Sequence, residues 1–351
     1  MLWMKVVVYS LIIILLCSTL YADEGEGGIA GNFLRYGVGG RALAMGRAYS
    51  AFAEGSDAVY WNPAGLGGLL RWELEFMYSP LYLDSHYSFA SFAYPIGKDG
   101  ALSLAYVGLM NTGLEQRDEA NTYLGDFSTN NWAVMLGYGR YLFQKQVRLG
   151  LGTKFIYESV ADNSAGGFGG IQLGVISRDF FRKLRFALMV DGLGTAKIAE
   201  DEYPITLRCG LMYRPFRNLY LTADVDIVPD VTPMPKFGLE YKLSRAFYLR
   251  AGTSIDEFTA GFGWSFRGLS LAVTELGFGG GEAAVDYAAG FGTPVGYDVG
   301  RVSLTFRGKE RISIKELQAV ADPCEKLSEY AVLLDKEGAP GAAANLTFGY
   351  C

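Results

Sequence analysis

The sequence predicts an all-β fold, a transmembrane antiparallel outer-membrane β-barrel of about 14 strands with an N-terminal plug, or hatch, inside the lumen. Three observations predict this fold. Apolar and polar residues alternate over long stretches; after the N-terminus no run of about 18 apolar residues exists; and the chain is half hydrophobic, 14% aromatic and rich in Gly. Alternation with a period of two indicates strands with one apolar and one polar face. The lack of a long apolar run excludes helical membrane spans.

The first 22 residues have the organisation of a secretory signal peptide. Lys5 is their only charge, Val6 to Leu16 is an apolar run interrupted only by Ser10, and small residues precede Ala22. A transmembrane helix is disfavoured because the run is shorter than the roughly 20 residues that span a bilayer. We therefore expect cleavage after Ala22 and export of the remaining chain.

Residues 23–68 precede the first clear strand and predict the plug. The stretch 55–68, GSDAVYWNPAGLGG, contains Pro63 and four Gly, which forbid a long helix or a central strand. It is nevertheless too apolar for an exposed loop. Irregular backbone at membrane depth is tolerated only inside protein or facing a water-filled cavity. A barrel of this width holds such a segment, so we expect 23–68 to fold back into the lumen.

Residues 69–307 predict the barrel itself. The alternation is clearest in 147–158, 219–227, 236–243 and 301–307. It fits a soluble sandwich with the apolar face inside, or a membrane barrel with that face toward lipid. Strand lengths near 9–11 residues, tyrosines near strand ends and connections that alternate in length favour the membrane barrel. Fifteen stretches are candidate strands, and because such barrels have even strand numbers, 269–275 is assigned to a long turn.

Connections of two kinds are predicted between these strands. Those at 97–100, 144–146, 215–218 and 244–246 are tight, whereas those at 112–129, 160–167, 194–203 and 228–235 are longer and more polar. Short turns on one side and long loops on the other are typical of outer-membrane barrels, so the long loops are expected to face outside. Residues 308–351 are then a periplasmic C-terminal tail, in which pairing of Cys324 with Cys351 is left open.

The residues offer little enzyme chemistry. His86 is the only His, and it shares a strand face with Ser88 without the other groups that catalysis needs. No cluster of His, Cys or carboxylates suggests a metal site, and no cofactor is expected. The absence of a basic patch disfavours nucleic acid as a partner. Within the plug, Asn62-Pro63 suits a turn or helix start, and Arg41 is expected to face Glu54 or Asp57.

Two blocks of the sequence resemble the PorV/PorQ family of outer-membrane proteins, relatives of the FadL-type transporters of hydrophobic compounds. They are FLRYGVGGRALAMGRAYSA with DAVYWNPAGL, over 33–51 and 57–66, and VDYA with RVSLTF, over 285–288 and 301–306. The resemblance extends over about 30–307. It departs from the family at 268–282, which look longer than the usual hairpin, and at 308–351, which are extra.

The resemblance implies a fourteen-stranded barrel with an N-terminal hatch, in the outer membrane of a Gram-negative-type bacterium. It assigns the hatch motif to Arg41, Met45, Gly46, Asp57, Trp61, Asn62, Pro63, Ala64, Gly65 and Leu66, and the barrel-closing strand to Val302, Leu304 and Phe306. The implied function is that of a non-enzymatic barrel in type IX-like protein secretion or of an envelope component, contacting outer-membrane lipid and secretion-machinery proteins. The alternatives are a FadL-like channel for hydrophobic small molecules and a structural or diffusion barrel.

Overall fold

The computed structural model shows a closed barrel of fourteen antiparallel strands, which confirms the predicted fold class and strand number. The predictions for 1–22, for the tail beyond Gly308 and for the turn after Leu269 lie outside the described residues. The structure describes residues 29–82, 84–97, 99–143, 146–161, 163–181, 183–195, 197–198, 201–229, 231–269, 281–292 and 299–308.

The described ranges contain sixteen strands. They are β1 Glu73–Pro80, β2 Ser85–Ile96, β3 Gly100–Arg117, β4 Tyr123–Leu142, β5 Val147–Val160, β6 Asn163–Ser177, β7 Leu184–Leu193, β8 Lys197–Ile198, β9 Asp201–Glu202, β10 Thr206–Phe216, β11 Leu219–Val228, β12 Val231–Lys242, β13 Phe247–Thr253, β14 Phe258–Leu269, β15 Gly281–Phe291 and β16 Val299–Arg307. Strands β8 and β9 form a separate two-stranded sheet. In the barrel each of the other strands pairs with the next one along the chain, so that β7 pairs with β10, and β16 closes the barrel on β1. At the closure Phe76 lies opposite Leu304 and Tyr78 opposite Val302.

The two faces of the wall have opposite character, as the alternation predicts. On β5, Leu151 is 53% exposed on the outer face, whereas Lys154 on the inner face is buried, 3% exposed. Ile156 breaks the alternation because it also points inward, where it is fully buried. Apolar side chains on the outside and ionic ones on the inside suit a wall that is surrounded by lipid.

The connections predicted as long loops are mostly continuations of strands. β3 and β4 both extend into the predicted loop 112–129, where Leu114 lies opposite Phe127 beyond a bulge. The loops predicted at 160–167 and 228–235 are shortened in the same way. Polar sequence predicted loops here, but cross-strand hydrogen bonds satisfy the backbone of a polar hairpin as well as that of an apolar one.

Two ends of the barrel are distinguished by their connections. The connections β2–β3, β10–β11 and β12–β13 lie at one end, which we name the turn end, and the connections β1–β2, β7–β10 and β13–β14 lie at the other, the loop end. Both Glu73, where β1 begins, and Arg307, where β16 ends, lie at the turn end and pair across the closure.

Residues 29–68, the N-terminal segment, contain only short helical pieces. They are 3₁₀ helices at Asn32–Tyr36 and Pro63–Gly68 and α-helices at Gly40–Ala44 and Ala58–Trp61. Pro63 stands at the first position of its helix, and the Asn62 side chain accepts a hydrogen bond from Ala64 N at 3.1 Å, as an N-cap does. Among the described residues, no helix has both the length and the apolar character needed to cross a membrane.

Candidate functional site

The N-terminal segment packs against the inner surface of the barrel. Gly40 N donates to Ser303 Oγ on β16 at 2.9 Å, and Tyr49 N and Ser50 N donate to the carboxylate of Asp224 on β11 at 3.0 and 2.8 Å. Further hydrogen bonds join the segment to β1, β2, β3, β5, β6, β7, β10, β12 and β14. Side chains of the wall therefore satisfy backbone groups that the irregular segment cannot pair within itself.

Arg41 joins the segment to β12. Its Nε and Nη2 donate to the two carboxylate oxygens of Glu240, each at 2.8 Å, and its guanidinium lies over the Phe52 ring, 4.4 Å from the centroid. Burial acts to lower the pKa of Arg41, but the Glu240 carboxylate outweighs burial and raises it. The predicted partners, Glu54 and Asp57, are wrong, because the helix Gly40–Ala44 lies against the wall and directs Arg41 toward β12.

Glu54 instead lies between two arginines near the turn end. Its Oε1 accepts from Arg185 Nη1 at 2.5 Å, and Arg148 Nη2 is 3.7 Å away. Burial acts to raise the pKa of Glu54, but the guanidinium groups of Arg185 and then Arg148 outweigh it and lower the pKa to about 2. The side chain is 40% exposed, so solvent screens these ion pairs.

Met45 and Gly46 lie where the segment touches β12, β13 and β14. Met45 is fully buried, and Gly46 N donates to Thr259 Oγ1 at 3.0 Å. Gly46 has a φ of +62°, and a Cβ at this position would overlap the backbone nitrogen of Thr253. Only Gly meets both demands, a left-handed backbone and close contact with a strand.

Asp57 faces two carboxyl groups of β1, Glu73 and Glu75. One oxygen of Asp57 and one of Glu75 each lie 3.2 Å from the point that a Cβ of Gly39 would occupy, so the two carboxyl groups are neighbours. Within the described part of the chain, the carboxyl groups of Asp57 and Glu75 form neither a hydrogen bond nor an ion pair, although the two residues are only 4% and 5% exposed. Burial, followed by the Glu73 charge, raises the pKa of Asp57 to about 7.

The remaining motif residues, Trp61 to Leu66, are buried against strands other than those that Met45 and Gly46 touch. Trp61 Nε1 donates to Val38 O at 3.0 Å, and its carbonyl accepts from Arg208 Nη1 at 3.3 Å. Leu66 is fully buried beside Gly137 on β4. Pro63, Ala64 and Gly65 are buried as well. The predicted motif is thus a set of packing and hydrogen-bonding residues spread along the segment, and its members do not converge on one point.

A cavity of about 690 Å³ lies between the segment and the wall toward the loop end. Aromatic rings line it from the segment and from the connection between β7 and β10. They are Phe33, Tyr36, Tyr60, Trp61 and Tyr203. Apolar side chains of the wall and its connections, among them Leu109 and Val231, complete the lining. The volume falls in the range of pockets for small molecules.

Five charged side chains in the cavity wall are paired with one another. Lys154 Nζ donates to Asp191 Oδ2 at 2.6 Å and to the Tyr203 hydroxyl at 2.8 Å. Asp226 lies between Arg208, which donates at 2.7 and 2.9 Å, and Lys236. The sequence placed Lys154, Asp226 and Lys236 on the polar faces of their strands, but it contained no signal for which charges meet, because the partners come from separate strands.

The wall beside the cavity has an incomplete ladder. β6 pairs with β5 from Asn163 onward, but the first residue of β6 that pairs with β7 is Ile171, opposite Leu193. Ile198 of the small β8–β9 sheet is buried against Gly167, in the part of β6 that pairs with β5 but not with β7. The stretch that contains β8, β9 and Tyr203 therefore covers a side of the barrel where strand pairing stops short.

The other candidate chemistry of the sequence lies away from the cavity. His86 is on the outer face, where its Nδ1 is 2.8 Å from the Tyr78 hydroxyl. Across the described ranges no group of three or more His, Cys, Asp or Glu is arranged to hold a metal ion.

The closed fourteen-stranded barrel and its apolar outer surface define the chain as an outer-membrane β-barrel of a Gram-negative-type bacterium. Its fold is similar to those of two solved hydrocarbon channels. The Pseudomonas putida toluene transporter TodX is 12% identical, with a TM-score of 0.57 over 79% of this chain and 98% of that chain. The CymD monoaromatic hydrocarbon channel is 10% identical, with a TM-score of 0.53 over 79% and 98%. Neither a family model nor a curated protein matches the sequence.

Proposed function

We propose that the protein is a channel for hydrophobic small molecules and that the N-terminal segment, residues 29–68, is a plug that closes its lumen. The observation that carries the proposal is the cavity of about 690 Å³ between this segment and the wall. Because the N-terminal segment forms one boundary of this cavity, a movement of the segment changes that boundary. The barrel then provides the passage and the segment provides the closure.

The lining favours apolar ligands. Aromatic rings converge on the cavity from the segment and from Tyr203, and the five wall charges described above are held in ion pairs with one another. An ion pair that is already formed offers little to a charged ligand, whereas aromatic faces gain from contact with an apolar one. TodX is described as a toluene transporter and CymD as a monoaromatic hydrocarbon channel. We therefore assign molecules of the size and polarity of toluene as the first class to test.

The incomplete pairing of β6 with β7 supports a lateral path from the cavity into the membrane. Apolar molecules that leave sideways avoid crossing the polar inner surface at the turn end. Tyr203 and Ile198 lie between the cavity and this unpaired edge, so their stretch is the part that must move. Such a lateral path lets a hydrocarbon reach the membrane without passing the ionic residues that occupy the lumen toward the turn end.

The test compares two tryptophan variants on one strand. Thr206 lines the cavity, whereas Leu207, the next residue of β10, faces the other side of the wall. Thr206→Trp projects an indole ring into the cavity and is expected to reduce strongly the uptake of radiolabelled toluene by Gram-negative cells that lack their own hydrocarbon channel. Leu207→Trp is expected to retain it. Uptake no faster than in cells without the protein, or uptake by Thr206→Trp equal to wild type, would contradict the proposal.

A component of protein secretion is the second candidate, because residues 33–51 and 57–66 resemble the PorV/PorQ family. This membership stays a prediction. The two candidates differ in partners: a secretion component co-purifies with other secretion proteins and with cargo, whereas a hydrocarbon channel takes up toluene without them. A structural or diffusion barrel, the third reading, is expected to conduct ions in planar bilayers before any part of 29–68 is removed.

A further inference from the structure

The ionic network under the N-terminal segment contains more carboxyl groups than cations. Arg41 and Arg250 share Glu240, Arg250 also donates to Asp286 at 2.5 Å, and Arg307 donates to Glu73. These bonds engage three arginines and three carboxylates. Asp57 of the segment and Glu75 of β1 are left over, both nearly fully buried and neither forming an ion pair among the described residues.

Among the described residues, charged groups face Asp57 from several elements. Glu73 and Glu75 face it from β1, Asp286 from β15 and Arg307 from β16, while Arg41 belongs to the segment itself. From β2 and β3, the hydroxyls of Ser91 and Ser103 bond the neighbouring Ser56. Two neighbouring buried carboxyl groups without a cation do not both ionise, since like charges at this separation repel in a medium of low dielectric.

We propose that Asp57 takes up a proton when the N-terminal segment docks against Glu75, so that docking of the segment is controlled by pH. The proton comes from solvent and neutralises the Asp57 carboxyl group; it returns to solvent when the segment leaves and Asp57 is hydrated. Docking is therefore strongest in acid and weakens as the pH rises. Arg41, seated on Glu240, keeps the segment in register but does not neutralise Asp57, because its guanidinium is already engaged.

The pH window follows from the change in affinity for this proton. A carboxyl group whose pKa is raised in the docked state loses docking strength between its free and its docked pKa, that is from about pH 4 to about pH 7. Within that window one proton changes the docking equilibrium by at most about tenfold per pH unit. Above about pH 7 the equilibrium levels off.

Hydrogen–deuterium exchange of the full chain in detergent micelles, corrected for intrinsic rates, tests the proposal. Protection of 40–68, measured relative to β5, is expected to fall at least about tenfold between about pH 5 and about pH 8. Asp57→Asn is expected to flatten this dependence and to keep the segment protected at the higher pH. Glu54→Gln removes a carboxylate that has cation partners and is expected to leave the dependence unchanged over this range.

Two results would overturn the proposal. One is a wild-type segment whose protection does not change between the two pH values. The other is a dependence that persists in Asp57→Asn. The proposal rests on the segment being docked, as the proposed plug requires, but not on transport: if toluene uptake fails while the dependence is observed, the hydrocarbon channel is refuted and the switch stands. A segment without protection at any pH refutes both the plug and the switch.

Discussion

Two regions of the barrel interior hold buried charges in different ways. Beside the cavity, Asp226 is bonded by Arg208 and Lys236, and Lys154 is bonded by Asp191. Near the turn end, Asp57 and Glu75 face each other without a cation. The first region is held mainly by ion pairs within the wall, to which the segment adds one hydrogen bond, from Arg208 Nη1 to Trp61 O. The second brings one charge from the segment to another on the wall, so its energy depends on docking.

The largest expected effect is on the region by the cavity. Asp226→Asn leaves Arg208 and Lys236 buried without their shared carboxylate, and we expect it to lower the free energy of unfolding by about 3–5 kcal/mol. Lys236→Met is the matched control, because it leaves a one-to-one pair of Arg208 with Asp226 and removes only the surplus cation. Urea unfolding in micelles, followed by tryptophan fluorescence, measures the free energy of unfolding of both variants. A smaller loss for Asp226→Asn than for Lys236→Met would show that this region does not depend on its ion pairs.

Gly46→Ala tests whether docking can be disturbed without touching any charge. The substitution imposes a left-handed backbone on a residue with a Cβ and overlaps the backbone of β13, so we expect docking to weaken by about 2–4 kcal/mol. Gly97 has a similar φ of +70° but nothing within 4 Å of its Cβ position. The measurement is the protease sensitivity of residues 29–68. Gly97→Ala reproduces the backbone strain alone and is expected to leave this sensitivity unchanged. Equal sensitivity in the two variants would place the effect in strain and not in contact with the wall.

Arg41→Met removes a cation from the region near the turn end, which already holds more carboxyl groups than cations, and therefore tests the difference between the two regions. Glu240 keeps Arg250 as a partner but loses the two bonds from the segment, so we expect docking to weaken by about 2 kcal/mol. Unfolding of the barrel strands is expected to change little. Exchange protection of 40–68 against that of β5 separates the two effects, with Arg41→Lys as the control that retains the charge. Parallel losses in the segment and in β5 would contradict the division into two regions.

The smallest effect is expected from Glu54→Gln, and it has the opposite pH sign to that of Asp57. The pKa of Glu54 falls to about 2 because Arg185 and Arg148 outweigh burial, so its contribution to docking is complete above about pH 4.5 and is lost as the pH falls toward about 2. Since the side chain is partly exposed, the loss is small. Exchange protection of 40–68 at about pH 3 is expected to be less pH-sensitive in Glu54→Gln than in wild type. An unchanged acid dependence would remove Glu54 from the set of docking contacts.

Much of the fold was predictable from the sequence because a strand records its two environments in alternate residues. Leu151 and Lys154 differ in polarity, and the structure places them on opposite faces of β5. The strand number followed from counting such stretches. Polar hairpins such as that of β3 and β4 were predicted as loops, because a strand beyond the membrane faces water on both sides and loses the alternation.

The sequence by itself determined the architecture, an alternating wall and an N-terminal segment too apolar for solvent and too irregular for a strand. Only the tertiary structure decided which charges meet, such as Arg41 with Glu240 and Asp57 with Glu75, and that a cavity remains beside the segment. The physical reason is that alternation depends on residues two positions apart, whereas the interior charges meet across separations of up to 234 residues along the chain, set by barrel closure and strand register.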